Sequence, residues 1–404
     1  MKTNTRILLL VLVLALALPF LANTTWQGIL TKMLIAALFA TGYNLLLGQA
    51  GLLSFGHAAF YGIGAIATLH VMIAVERGVF YVPLPLIPLT GALAGLVLAF
   101  IAGCFATKRS GTYFALVTLA MAELIHVIAP SWEAVFGGEA GLTSMRMPSL
   151  GLGFGSALEM YFFVLAWVAV GIGGLWYLSK TAFGQLTLAL NGNEQRLKFL
   201  GFDTYKSKVL IFSISGMIAG LSGSLLAITN ETANYTLFSV TYSTQVIFHT
   251  FIGGQTLFFG PAIAAAALTA MPFELSNYTH FWPLYQGLLF MVVMLTAPGG
   301  LGVLLRDQWH QTWDRYYWLK VTKVTMIVIC ATAVVVACAE WAGKLRHGGL
   351  DMSAAANGTM LTIFVLALAV LLAILVVMWR FPAVLQKVNP RRGKPGAVSR
   401  GSVQ

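Results

Sequence analysis

The sequence predicts an all-α protein, a polytopic transmembrane helical bundle of about 10–12 spans with a broken or Gly-rich helix region near 48–64. Three observations predict it. Of 404 residues, 58% are hydrophobic and only 9% are charged, against roughly 25% charged in soluble proteins. Mean hydropathy is +0.83. Apolar runs approaching the length that crosses a bilayer, about 20 residues, recur along the chain. Too few charges remain to wet a soluble surface. A soluble enzyme, a nucleic-acid-binding domain and a disordered chain are therefore excluded as readings of the whole.

The spans follow in order. Lys2 and Arg6 precede the run 7–22. A cleaved leader would want a small residue where Phe20 stands, so this run reads as a retained first span. Further runs cover 28–47, 52–75, 83–106, 112–130, 158–178, 208–229, 240–255, 258–273, 282–297, 324–341 and 359–379, twelve in all. The pair between 240 and 273 is short, and reads as two spans, a re-entrant pair or one bent span. Lys32 alone among the basic residues lies within a span. Gly91/Gly95 and Gly216/Gly220 are Gly-x-x-x-Gly pairs of the kind that lets two helices pack closely.

Charge sets the direction. With the N-terminus in the cytoplasm, Arg77, Arg146, Lys344 and Arg346 fall outside, and 19 of the 24 basic residues fall inside. That asymmetry fits the positive-inside rule and puts both termini in the cytoplasm. The net charge of +11 then reflects topology and contact with anionic lipid, with no role for nucleic acid. Three units are expected: a transmembrane core over 1–305, two additional spans with an interfacial linker over 306–380, and a basic cytoplasmic tail over 381–404.

The longest inside loop of the core, 179–207, has a pattern of its own. Phe183, Leu186, Leu190, Leu197 and Leu200 recur at helical spacing, and Asn191-Gly192-Asn193 interrupts them. Two short amphipathic helices with a bend are predicted, the second ended by Gly201. Such a face lies flat on the membrane or docks into a soluble partner.

Other polar groups stand inside spans. Gly48, Gly51, Gly56, Gly62 and Gly64 crowd one stretch with Gln49, Ser54 and His57. Glycines at this density serve plain helix packing or break a helix where it lines a path. His57 reads as a hydrogen-bonded helix-end histidine or as a path residue. Glu123 is the only carboxylate well inside a span, where insertion costs about 2.5–3.5 kcal/mol, so it wants a partner, a proton or water. It reads as a path-lining or gating residue or as a structural hydrogen-bonding group, with His126 on its face. Gln245 and His249 form a weaker pair of the same kind. Cys104, Cys330 and Cys338 lie in apolar runs with no metal spacing, and no catalytic constellation is visible, so no metal, no cofactor and no enzymatic activity are expected.

The loop, with Phe183-Gly184, Asn193-Glu194 and Leu200-Gly201, resembles the coupling motif of ABC-importer permeases. Together with 44–64, 110–123 followed by 137–142, and 213–223 with Phe259-Gly260-Pro261, it is similar to the branched-chain amino acid permease family, the LivM-like subunit. The resemblance covers roughly 28–304. Family members commonly have basic residues where this chain has Gln185, Leu188 and Asn191, and nothing after about 306 has a counterpart. The resemblance implies an inner-membrane permease subunit of an ABC importer for branched-chain or related small amino acids. Its implied partners are cytoplasmic ABC ATPases, a second permease subunit in a heterodimer, a periplasmic substrate-binding protein and membrane lipid. The chain carries no phosphate-binding Gly-x-x-x-x-Gly-Lys-Ser/Thr loop of its own. The coupling residues implied are Phe183, Gly184, Leu190, Gly192, Asn193, Glu194, Leu200 and Gly201. The translocation path implied takes Asn44, Gln49, Ser54, Phe55, Gly56, His57, Thr118 and Glu123. A same-class permease for urea, short amides or other small carboxylates is the first alternative. A stand-alone secondary transporter or channel is the alternative from another class.

Overall fold

The computed structural model describes residues 15–109, 111–149, 153–276, 282–296 and 299–302. Twelve helices can be followed in order: α1 Thr24–Asn44, prolonged by a π-helical turn Leu45–Gln49; α2 His57–Glu76; α3 Pro88–Ala106; α4 Thr112–Ile128; the short α5 Glu133–Phe136; α6 Ala157–Lys180; α7 Ala182–Gly192; α8 Glu194–Phe199; α9 Thr204–Asn230; α10 Val240–Gly253; α11 Gly260–Leu275; and α12 Trp282–Thr296. The protein is an all-α, multi-pass membrane protein. Among the described residues six helical stretches are long and apolar enough to cross a membrane: Thr24–Gln49, His57–Glu76, Leu84–Ala106, Thr112–Ser131, Ala157–Lys180 and Thr204–Asn230. The predicted spans 324–341 and 359–379, the basic tail and most of 7–22 lie outside the described residues. The described residues form two units: one holds α1 to α11, and the other is α12, an apolar helix of 15 residues.

The run between 240 and 273 is two helices and not one bent span. At 14 and 16 residues, α10 and α11 reach about 21 and 24 Å, short of a hydrocarbon core of about 30 Å. The chain reverses at Gly254, with φ +95°, where only glycine is comfortable. Gly253 and Gly260 sit so close that a Cβ on either would overlap the other's carbonyl.

Within the main unit α9 is central; 83% of its most apolar 18-residue window is buried. It packs against α3, α2 and α1. Two of its buried serines bond within the helix: Ser213 Oγ donates to Val209 O at 2.7 Å and Ser222 Oγ to Ile218 O at 2.8 Å. The close approach to α3 runs through Gly91, Gly95, Gly216 and Gly220, where an added Cβ would overlap facing backbone or Ala99. Thr68 of α2 closes the same contact by donating to Ser224 Oγ at 2.7 Å.

The loop 131–157, predicted to lie outside, is tied down at both ends of a two-residue ladder. Strand β1 (Leu142–Thr143) pairs antiparallel with β2 (Thr232–Ala233), Leu142 opposite Ala233. Arg146 Nε lies 2.8 Å from Glu231 Oε1, and Ser144 Oγ donates to Glu76 Oε2 at 2.8 Å. Burial acts to raise the Glu231 pKa, and the Arg146 contacts outweigh it and hold the carboxyl below its ordinary value.

Candidate functional site

The break near 48–64 begins where α1 widens into its π turn. Residues 50–56 then run without helix, and α2 starts at His57, later than the run 52–75 suggests. Two glycines account for this. Gly51 has φ +69°. A Cβ on Gly56 would overlap the Thr118 carbonyl of α4. The segment is held by side chains on both sides. Tyr43 Oη donates to Ser54 O at 2.9 Å, and Phe55 N donates to Thr118 Oγ1 at 3.2 Å. His57 is fully buried, with Ser54 Oγ 3.0 Å from Nδ1 and Ser215 Oγ 2.8 Å from Nε2. Ser215 Oγ donates to Gly42 O at 2.7 Å, so its lone pair receives the proton on Nε2 and Nδ1 accepts from Ser54. Rings of Tyr43, Phe60 and Phe212 surround the imidazole at 4.9, 5.3 and 5.8 Å. His57 thus stands at the start of α2 with both ring nitrogens hydrogen-bonded. Ser54, His57 and Thr118, expected along a path, lie in packed interior and bond other elements. The reason is that one polar break must satisfy its own backbone in apolar surroundings.

Asn44 and Gln49 behave differently. Asn44 Nδ2 donates to Leu257 O at 3.1 Å in the α10–α11 turn. Among the described residues its Oδ1 and the Oε1 of Gln49 are buried without a hydrogen-bond partner, an arrangement costing about 1–3 kcal/mol for each. Asn44 and, five residues on, Gln49 are thus the path candidates that, among the described residues, keep a buried acceptor without a partner at the break.

The predicted loop helices are α7 and α8. The bend falls at Asn193, one residue past the Asn-Gly pair, because α7 continues through Gly192 and Asn193 turns extended (φ −161°, ψ 99°) to cap α8. Its Oδ1 accepts from Arg196 N at 3.0 Å. Gly201, at φ +85°, ends α8: Gly201 N donates to Lys198 O at 3.0 Å and Phe202 N to Leu197 O at 3.1 Å. The apolar face does not stand free. Leu190 and Leu197 are buried, Phe183 and Leu186 pack against the core, and Gly184 lies under the end of α6. Leu200 leaves that face because it follows the end of α8, and is 65% exposed. With the inward positions spent on the chain's own core, the apolar groups left outward are Leu188, Phe199, Leu200 and Phe202.

Glu194 is an internal brace. Its Oε2 lies 2.6 Å from Nζ of Lys208, whose side chain is 6% exposed, and its Oε1 lies 3.0 Å from Nζ of Lys198. Thr204 Oγ1 donates to Oε1 at 3.2 Å. Burial acts to raise the Glu194 pKa, but the hydrogen bonds and charges of Lys208 and Lys198 win and hold it below the ordinary value. The sequence pointed to Glu194 but missed Lys208, because a lysine at the start of a span reads first as an interface residue. It also passed over Asn191 as a turn residue; its Nδ2 donates to Gly48 O at 3.1 Å, joining α7 to the break.

Glu123 lies half-buried on α4 between the packed positions Thr118 and Ala122 and the exposed Leu124 and Val127. Among the described residues it makes no hydrogen bond or ion pair. His126 does not pair with it; its ring stands 5.8 Å from Tyr235 and its Nδ1 is buried without a partner. A small apolar cleft between α2, α3, α4 and α9 runs beside Gly56, Thr118, Met121 and Phe212. Lys32 places its ammonium 5.1 Å from the Phe273 ring, a cation–π contact that explains a lysine within α1. Among the described residues no His, Cys, Asp or Glu cluster could hold a metal ion.

The family model described as "Branched-chain amino acid transport system / permease component" matches residues 7–298. The high-affinity branched-chain amino acid transport system permease protein LivM of Salmonella typhimurium is 26% identical over 325 residues, 74% of this chain and 75% of its own. LivM of Escherichia coli matches with the same identity and coverage. The ribose import permease protein RbsC of Haemophilus influenzae is 27% identical over 259 residues, 63% of this chain and 76% of its own. No solved structure matches.

Proposed function

Because the chain belongs to the family of branched-chain amino acid transport system permease components, an ABC permease family, we propose that it is a permease subunit importing branched-chain or related small amino acids across a bacterial inner membrane. It works with a second permease, separate cytoplasmic ATPases and a periplasmic binding protein, and both of its termini face the cytoplasm. The observation that carries the cargo reading is extent: the LivM relatives align over 74% of this chain, further than the ribose permease at 63%.

In this mechanism the ATPases bind the loop 179–207 at its outward residues, among them Leu188, Phe199 and Leu200. Phe183, Gly184, Leu190, Gly192, Asn193 and Gly201 give the loop its shape and its seat, and Glu194 locks it to α9. Movement of the loop then shifts the break after α1 and the adjoining α4, so that a path past Asn44, Gln49, Phe55, Gly56 and Glu123 opens to one side at a time. ATP and loaded binding protein must each prefer one of the two states for this to run.

Reconstitution tests the reading. Vesicles holding the complete importer should accumulate leucine only with ATP inside and binding protein outside. Accumulation of ribose or arabinose in place of leucine would move the cargo to sugars. Uptake by this chain without ATPase subunits would overturn the importer reading in favour of a stand-alone transporter.

A further inference from the structure

The loop meets the break at one side chain. Asn191, in the last turn of α7, donates through Nδ2 to Gly48 O at 3.1 Å, joining groups 143 positions apart. Gly48 lies in the π turn and is half-buried. The end of that turn is irregular: Ala50 N and Leu52 N both donate to Leu46 O, at 3.2 Å each, and Gly51 N to Leu47 O at 3.1 Å. The Gly48 carbonyl has no place in that pattern, and the amide of Asn191 takes it. The same amide lies against Gly51, where a Cβ would come 2.5 Å from its Oδ1. A side chain on Gly51 would therefore push α7 away, and one on Gly48 would overlap the Gln255 carbonyl.

The π turn is also joined on its other side to the α10–α11 turn, through Asn44 Nδ2 and Leu257 O at 3.1 Å. Among the described residues it keeps two buried acceptors unused, Asn44 Oδ1 and Gln49 Oε1. A π turn followed two residues on by a positive-φ glycine, with spare acceptors and hydrogen bonds at both flanks, can exchange partners when one flank moves.

We propose that Asn191 is a positioning residue for transport: it hands movement of α7 to the π turn through the Gly48 carbonyl. This rests on the importer reading above. Asn191 is exposed except for this contact, so its shape and not its burial matters. Asn191→Asp keeps the shape, removes the donor and sets a carboxylate against a carbonyl. Asn191→Ser keeps a donor at shorter reach.

The test uses the complete importer in vesicles and reads leucine uptake per ATP hydrolysed. Asn191→Asp should lower that ratio by about tenfold, the equivalent of one hydrogen bond. Asn191→Ser should recover part of it. A loss confined to the amount of assembled complex, with the ratio unchanged, would overturn the proposal, as would a normal ratio in the Asp variant. Hydrogen exchange on the wild-type complex gives a reading independent of any variant. Amides 50–52 should change protection on ATP binding together with those of 182–192; a change in one group alone would overturn the proposal. If the wild-type vesicles take up leucine without ATP, the importer reading itself fails, which a coupled wild type beside an unaffected variant leaves standing.

Discussion

At the scale of single residues, polar groups in apolar surroundings divide into those that hold the molecule together and those still available. His57 belongs to the first kind. Its two ring nitrogens hold Ser54 and Ser215, and through Ser215 the Gly42 carbonyl. His57→Ala should lower stability by about 3 kcal/mol, a cavity plus a lost hydrogen-bond network, read as a lower melting temperature of the purified protein. Glu194 is of the same kind, and its ion pair with Lys208 is asymmetric. Glu194→Ala leaves a nearly buried ammonium without its closest carboxylate and should cost about 2–3 kcal/mol. Lys208→Met removes the buried charge itself and should cost about 1 kcal/mol. The pH dependence follows in sign. Because the folded Glu194 value lies below the unfolded one, the brace contributes fully above the ordinary carboxylate value. Its contribution is lost as pH falls through the depressed folded value. Protection of amides 194–204, taken relative to their intrinsic exchange rates, should fall in that acid range and stay high at neutral pH. Glu123 is of the second kind. Glu123→Gln should move the melting temperature little, within about 0.5 kcal/mol, and yet cut uptake by the reconstituted importer several-fold. Partners tens to hundreds of positions away decide which kind a residue is. That is why Glu123 and His57 looked alike in the sequence, and why Lys208 and Asn191 were missed.

At the scale of elements, glycine position was legible and glycine consequence only partly so. The spacing of Gly91, Gly95, Gly216 and Gly220 is that of close helix packing, and α3 and α9 do meet there. Gly220→Val would drive a branched side chain into the Gly91 carbonyl. It should cost about 3 kcal/mol or more, and be seen as a loss of folded protein by size-exclusion chromatography. The broken helix near 48–64 was visible from composition, but its place was not: the unwound segment is 50–56, set by Gly51 at φ +69° and by the contact of Gly56 with α4. The loop helices were visible as a period of three and four. Their apolar face reads as lying on the membrane or docking into a partner, because the pattern shows only that a face needs burial. The structure buries it against the chain's own core and leaves Phe199, Leu200 and Phe202 outside.

At the scale of the molecule, composition alone excluded a soluble protein, and the family match over 7–298 places the chain among ABC permeases. Side chains at the surface of the described helices are largely apolar, as lipid and partner subunits require. In the proposed orientation the loop 179–207 faces the cytoplasm and the loop 131–157 the other side. Single cysteines in the first should be labelled by an impermeant maleimide only after the cytoplasmic face is opened, and in the second from intact spheroplasts. The central claim is that a separate motor pushes on this permease at the end of α8. Photocrosslinking from Phe199, replaced by a benzophenone amino acid in native membranes, tests it most directly. Adducts with a nucleotide-hydrolysing subunit, changing in yield when ATP is bound, are expected; adducts with lipid alone would contradict the claim.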